Sequence, residues 1–91
     1  MGKSFIYKLN ADQKSIFKEI NKQIEVSGDE NIGEIRKNGV KIGYTMTPTV
    51  KGTKIEAKVL SKPFYVSTGR VKSELDKLHK KLTKKLTNST R

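Results

Sequence analysis

The chain has 91 residues, enough for one domain with a small core and too few for a large enclosed active site. It carries 20 basic and 9 acidic residues, a formal net charge of +11, so anionic partners are expected. There is no cysteine and only one histidine, which excludes disulfides, thiolate metal sites and histidine clusters.

The first two predicted elements are a strand and a helix. Residues 4–9 alternate between apolar and polar side chains, which predicts a half-buried strand. Asn10 is followed three residues later by Gln13, a spacing that resembles a capping box. We therefore expect a helix over about residues 11–26, with Ser27-Gly28 as its stop.

This helix has two distinct faces. The apolar face is formed by Ile16, Phe17, Ile20 and Ile24. A ridge with a lysine every four residues lies on another face and consists of Lys14, Lys18 and Lys22. We expect Glu19 and Glu25 to dilute the charge of that ridge.

The middle of the chain is predicted to be a strand meander with two turns. Asn38-Gly39 tolerates the positive φ angles of a type I′ hairpin turn, and Lys51-Gly52-Thr53 marks the second turn. Residues 40–47 and 54–59 alternate, which predicts strands with one core face and one solvated face. The solvated face has no aromatic side chain, so the stacking platform of sheet-based single-strand binders is absent.

The C-terminal segment is predicted to be an amphipathic helix capped by Ser67 or Thr68. Its apolar stripe recurs at helical spacing and comprises Val71, Leu75, Leu78, Leu82 and Leu86. The lysines on the opposite side are Lys77, Lys80, Lys81 and Lys84. Such a helix can bury leucines in a core while presenting a basic face to a polyanion.

These elements define the predicted fold class as α+β. The expected order is β-α-β-β-β-α, with two helices packed on one face of an antiparallel sheet. Residues 1–86 are expected to form the single domain, and residues 87–91 a flexible C-terminal tail.

No arrangement of residues indicates catalysis. The acids form no paired motif, the glycines form no phosphate-binding loop, and no calcium-loop spacing is present. His79 has no accompanying serine or cysteine motif, so we interpret it as a boundary residue of the last helix. We expect a non-enzyme without metal or cofactor. The absence of a signal-like or membrane-spanning apolar run favours the cytoplasm.

Nucleic acid, DNA or RNA, is the leading predicted partner. The candidate contacts combine the last helix with the neighbouring strand and are Arg70, Lys72, Lys77, Lys80, Lys81, Lys84, Lys54, Lys58 and Lys62. With 17 lysines and only 3 arginines, base-specific readout is not expected. The lysine bias also fits a phage origin.

Two other anionic partners are left open. One is an acidic protein surface, with Phe64 and Tyr65 supplying apolar contact and the chain acting as a binding module or inhibitor. The other is anionic lipid, which a basic amphipathic helix can bind. The pattern does not define an oligomeric state.

Two family resemblances extend this interpretation. Residues 20–82 resemble a double-stranded-RNA-binding domain, in which basic residues at the start of the second helix grip phosphates. Arg70 and Lys72 are the matching positions. Over its whole length the chain is similar to small polyhydroxyalkanoic-acid-system proteins, through residues 40–59 and through Lys62-Pro63-Phe64 leading into residues 69–75. That likeness implies a compact α+β module with a binding or granule-associated role and assigns no site residues.

Overall fold

The secondary structure comprises five strands and two helices within the part of the chain that the structure describes. The structure is a computed structural model that describes residues 4–89, with the side chains of residues 4–86. In chain order the elements are β1 (Ser4–Leu9), α1 (Gln13–Gln23), β2 (Glu25–Gly28), β3 (Ile32–Lys37), β4 (Val40–Pro48), β5 (Thr53–Ser61) and α2 (Thr68–Ser89).

The sheet is antiparallel throughout, with strand order β1-β5-β4-β3-β2. Strands β2 to β5 form consecutive hairpins, while β1 crosses back to pair with β5. Buried residues of both helices share one cluster with the core face of the sheet. The predicted α+β class, with two helices on one face of an antiparallel sheet, is confirmed.

The prediction for the first helix is wrong at both ends. Asp12, not Asn10, caps α1: its carboxylate accepts from the backbone N–H of Ser15 at 3.2 Å. The helix ends at Gln23, and Ile24 already has an extended backbone. The following residues form β2, an extra strand absent from the predicted order, because alternating apolar and polar residues fit a strand as well as a helix end.

Three turns connect the consecutive strands β2 to β5. Gly28, expected as a helix stop, instead ends β2 with a φ of +111°, and the carboxylate of Asp29 accepts from two backbone N–H groups of the turn. The Asn38-Gly39 hairpin turn is confirmed, since both residues have positive φ. The second turn is closed by backbone hydrogen bonds between Thr49 and Gly52.

The last helix begins as expected, because the hydroxyl of Ser67 accepts from the N–H of Arg70 at 3.1 Å. Its buried stripe differs at one position: His79 is buried and Leu78 is only half-buried. The interpretation of His79 as a boundary residue is therefore wrong. The helix continues to Ser89, and residues 90 and 91 lie outside the described residues, so the tail at 87–91 stays a prediction.

Candidate anion-binding surface and adjoining groove

The predicted basic positions of α2 are all exposed, and they are Arg70, Lys72, Lys77, Lys80, Lys81 and Lys84. Lys85 is exposed as well and was missed, although it follows Lys81 at one helical turn. Two of these lysines lie near acids: Lys72 is 3.0 Å from Asp76, and Lys77 is 3.9 Å from Glu74. Both pairs are solvent-exposed and contribute little to stability.

The second half of α2 is the most basic part of the described surface. No acidic residue occurs between Lys77 and Leu86. Within the described residues, no ion pair involves the next four lysines, Lys80, Lys81, Lys84 and Lys85. Their ammonium groups therefore remain available to an external anion.

Helix α1 adds a second basic ridge on the same side of the sheet. Its three exposed lysines, Lys14, Lys18 and Lys22, are directed away from the buried Ile16 and Ile20, and α1 packs against α2. Glu19 stays beside this ridge, hydrogen-bonded to Gln23 at 2.9 Å. Glu25 does not dilute it, because that residue belongs to β2 and pairs with Arg36.

The lysines predicted on β5 do not join the helical surface. Lys54 and Lys58 alternate with the buried Ile55 and Ala57, so they lie on the open face of the sheet, opposite the helices. The ammonium group of Lys62 is held by the carbonyl oxygen of Val66 at 2.5 Å. Strand alternation therefore keeps Lys54 and Lys58 off the helical surface, so the predicted extension of that surface through these two lysines is wrong.

The open face of the sheet carries both signs of charge. The pairing register places three acids there, Glu25, Glu34 and Glu56, among the basic residues Lys8, Arg36, Lys41, Lys54 and Lys58. One acid forms a close pair, since Arg36 Nε lies 2.7 Å from a carboxylate oxygen of Glu34. Interspersed acids make this face a weaker polyanion surface than the helical one.

A groove lies between the first half of α2, the end of α1 and the β3–β4 hairpin. Its volume is about 710 Å³, within the range of protein ligand sites. Apolar side chains form the floor, and they include Ile24, Ile35, Val40, Ile42, Leu75 and Leu78. Basic residues line the rim, namely Lys37, Arg70, Lys77, Lys80 and Lys81.

Of the two aromatic residues predicted to contact a partner, Tyr65 lies at this groove and Phe64 packs against Tyr65. Phe64 is 96% exposed and Tyr65 is 76% exposed, and their rings meet edge to face with centroids 5.6 Å apart. Tyr65 is part of the groove lining. The aromatic pair could be predicted from the sequence, but the groove could not, because it depends on where α1 ends.

A small polar cluster joins β1 to α2 beneath the basic surface. The Tyr7 hydroxyl donates to Asp76 at 2.6 Å, and the Tyr7 ring stacks on His79 at a centroid distance of 3.8 Å. Burial and the Asp76 hydrogen bond raise the pKa of Tyr7, and the same hydrogen bond, with Lys72, lowers the pKa of Asp76. Within the described residues, no group of three or more His, Cys, Asp or Glu could hold a metal ion.

Comparisons with known proteins define the fold alone. No protein-family model matches the chain, and no curated protein matches it. A crystal structure of the protein SSP2350 from Staphylococcus saprophyticus is similar, with a TM-score of 0.51, 10% identity, and coverage of 91% of this chain and 84% of that one. Among the described residues, neither helix combines the length and hydropathy needed to cross a membrane.

Proposed function

We propose that the protein binds nucleic acid through the lysines of its helical face, without catalysis and with little sequence preference. The main support is the run of exposed lysines in α2 that face no acid, Lys80, Lys81, Lys84 and Lys85. A lysine ammonium is a point charge that attracts phosphate without reading base edges. We place this activity in the cytoplasm.

The physical basis of the proposed binding is counterion release. Each lysine that neutralises a phosphate frees condensed cations, so four to six contacts give a log–log salt slope of about −3 to −5. The lysines of α1 add to this surface because the two helices cover the same face of the sheet. The similarity to double-stranded-RNA-binding domains makes RNA one of the duplexes to compare, with Arg70 and Lys72, both exposed at the start of α2, as the matching positions.

The test compares two variants of equal charge. One replaces Lys77, Lys80, Lys81 and Lys84 with glutamate, and the other replaces four lysines of the open sheet face, Lys8, Lys41, Lys54 and Lys58. Each lysine-to-glutamate change removes one positive charge and adds one negative charge, so four changes lower the net charge of either variant from +11 to +3. Fluorescence anisotropy with labelled duplex RNA, duplex DNA and single strands is measured from about 50 to 300 mM salt.

We expect the α2 variant to lose binding at least tenfold more strongly than the sheet-face variant. Circular dichroism should show that both variants retain the native secondary structure, since all eight lysines lie outside the core. Equal losses in the two variants, or binding to heparin as tight as to every nucleic acid, would contradict the proposed surface and indicate a generic effect of net charge.

A further inference from the structure

We propose that the groove beside α2 is the docking site for a short acidic amphipathic helix of a partner protein. This site goes beyond nucleic-acid binding, because its floor is apolar and phosphates bind lysines without needing an apolar floor. Three features of the described residues support this occupant: the length of the uncovered groove, the charge of its rim, and an exposed aromatic pair at its mouth.

The groove exists because the two helices have unequal lengths. Helix α1 has 11 residues and α2 has 22, about 16 Å against about 33 Å. After Gln23 the chain leaves the helical layer for β2, so the first half of α2 has no helical neighbour on the groove side. Lining residues on α2 run from Arg70 to Lys81, close to three helical turns. A helix of similar length, placed beyond the end of α1, would extend the existing layer.

The rim carries an excess of positive charge. Among the described lining residues Glu74 is the only acid, and its carboxylate already lies 3.5 Å from the Lys37 ammonium and 3.9 Å from that of Lys77. Arg70 and Lys81 face the groove without an ion pair to a described residue. An occupant with acidic residues flanking its apolar stripe would neutralise this rim, whereas a basic or neutral one would not.

The apolar floor of the groove and the aromatic pair at its mouth can be contacted by apolar side chains spaced along one face of a helix. Leu78 is half-buried and exposes part of its side chain to the groove, where Val40 forms part of the opposite wall. Exposed aromatic residues such as Phe64 and Tyr65 bury large areas on association and are enriched at the energetic centres of interfaces. Apolar residues at i, i+3 or i+4, and i+7 of the incoming helix would contact these positions in turn.

The experiment selects binders from a displayed library of random 16-residue peptides on the immobilised protein. The enriched sequences should carry apolar residues at helical spacing and a net negative charge. The best peptide is then synthesised with a fluorescent label, together with a scrambled peptide of the same composition. Anisotropy should show at least tenfold weaker binding of the scrambled peptide, because scrambling removes the apolar stripe but keeps the charge.

Variants locate the bound peptide. Leu78→Glu should weaken binding at least tenfold by placing a carboxylate on the groove floor, and Leu60→Glu, on the open sheet face, should leave it unchanged. If Leu78→Glu fails to fold, the exposed rim and mouth variants Arg70→Glu and Tyr65→Ala test the same site, each with an expected loss of at least threefold.

Several results would overturn the proposal. They are selection without enrichment, enrichment of basic or aperiodic sequences, binding unaffected by the groove variants, and displacement of the peptide by dodecanoate, which would identify the occupant as a fatty-acid carboxylate. Nucleic-acid binding is measured on the same proteins. Tyr65→Ala changes no charge and retains every lysine of α2, so in this variant loss of peptide binding and loss of nucleic-acid binding are separate outcomes.

Discussion

Gly33 lies beneath the ring of Tyr44, which is the largest fully buried side chain among the described residues. It pairs with Tyr44 across β3 and β4, and the Tyr44 hydroxyl donates to the carbonyl oxygen of Asp29 at 2.7 Å. A Cβ atom at position 33 would overlap both the Tyr44 ring and the carbonyl oxygen of Ser27. Burial raises the pKa of Tyr44 to about 12, so the hydroxyl remains a donor at any ordinary pH.

We therefore expect Gly33→Ala to lower the free energy of unfolding by roughly 1–3 kcal/mol, the usual cost of overpacking a core. Gly43→Ala is the matched control. A Cβ atom there would meet only the flexible end of the Leu60 side chain on the open face. Urea denaturation of the two variants measures the difference, and equal destabilisation would contradict the role assigned to Tyr44.

His79 is a second residue whose burial has a measurable consequence. Its Nδ1 lies 2.7 Å from the carbonyl oxygen of Leu75 and so carries the proton, which leaves Nε2 buried without a hydrogen-bond partner among the described residues. Burial lowers the pKa of His79, and the Leu75 and Asp76 oxygens oppose this shift less strongly. The folded protein thus favours the neutral ring.

The free energy of unfolding should consequently fall as pH drops below about 6.5, because the unfolded chain takes up a proton that the folded chain resists. Above that pH the contribution is fully present. His79→Phe keeps a ring against Tyr7 and removes the titration, so its stability should be flat between about pH 7.5 and 5. The chain has no other histidine, and an unchanged slope in the variant would show that other groups titrate.

At the scale of elements, the two ends of α1 are set by tertiary contacts where the local sequence allows more than one choice. Asn10 and Asp12 are both good capping residues, and the chain uses Asp12. Hydrogen bonds to Ser15 lower the pKa of the Asp12 carboxyl, as expected for a charged cap. The choice between two adjacent caps depends on how the chain leaves β1, which no local pattern specifies.

Substitution should distinguish the two caps. We expect Asp12→Ala to lower the free energy of unfolding by about 1 kcal/mol and Asn10→Ala to have a much smaller effect. Thermal and urea denaturation of both variants at neutral pH provide the measurement. A larger loss of unfolding free energy in the Asn10 variant would show instead that Asn10 caps α1, as the capping-box spacing suggested.

Where a signal is local and unambiguous, the sequence predicts the structure well. The Asn38-Gly39 turn is present as predicted, and Ser67 is the cap out of the two predicted candidates, Ser67 and Thr68. Strand β2 was missed because Ile24 continues the helical spacing of Ile20, and the alternation of Ile24 with Val26 is too short to indicate a strand by itself. The groove could not be predicted for the same reason, since it exists only because α1 ends before these two residues.

At the scale of the whole molecule, the sheet separates two surfaces of different charge. The helical face carries the lysines of α1 and α2, while the open face mixes lysines with Glu25, Glu34 and Glu56. The net charge follows directly from the composition, whereas its distribution between the two faces of the sheet does not. The alternation of β5 and the extra strand β2 decide that distribution, by directing Lys54, Lys58 and Glu25 away from the helices.

Lysines crowded on one face should repel one another, and salt should relieve that repulsion. We expect the free energy of unfolding to rise between about 50 and 300 mM sodium chloride. In the variant with glutamate at Lys77, Lys80, Lys81 and Lys84, the rise should be much smaller. Chemical denaturation with urea, which leaves ionic strength unchanged, provides the measurement. A wild-type stability that does not respond to salt would show that the lysines are too far apart to interact.

The pairing of β1 with β5 has a consequence for how the chain folds during synthesis. Strands β2 to β5 are joined by short turns, so each hairpin can form as soon as its two strands have been translated. Strand β1 is synthesised before its partners. Tyr7 can pair with Ile55 only after β5 has been translated, and can contact Asp76 and His79 only after α2 has been translated. Loop closure over that distance is slow compared with a hairpin. The N-terminal strand is therefore the part of a growing chain that would be exposed longest to chaperones and proteases.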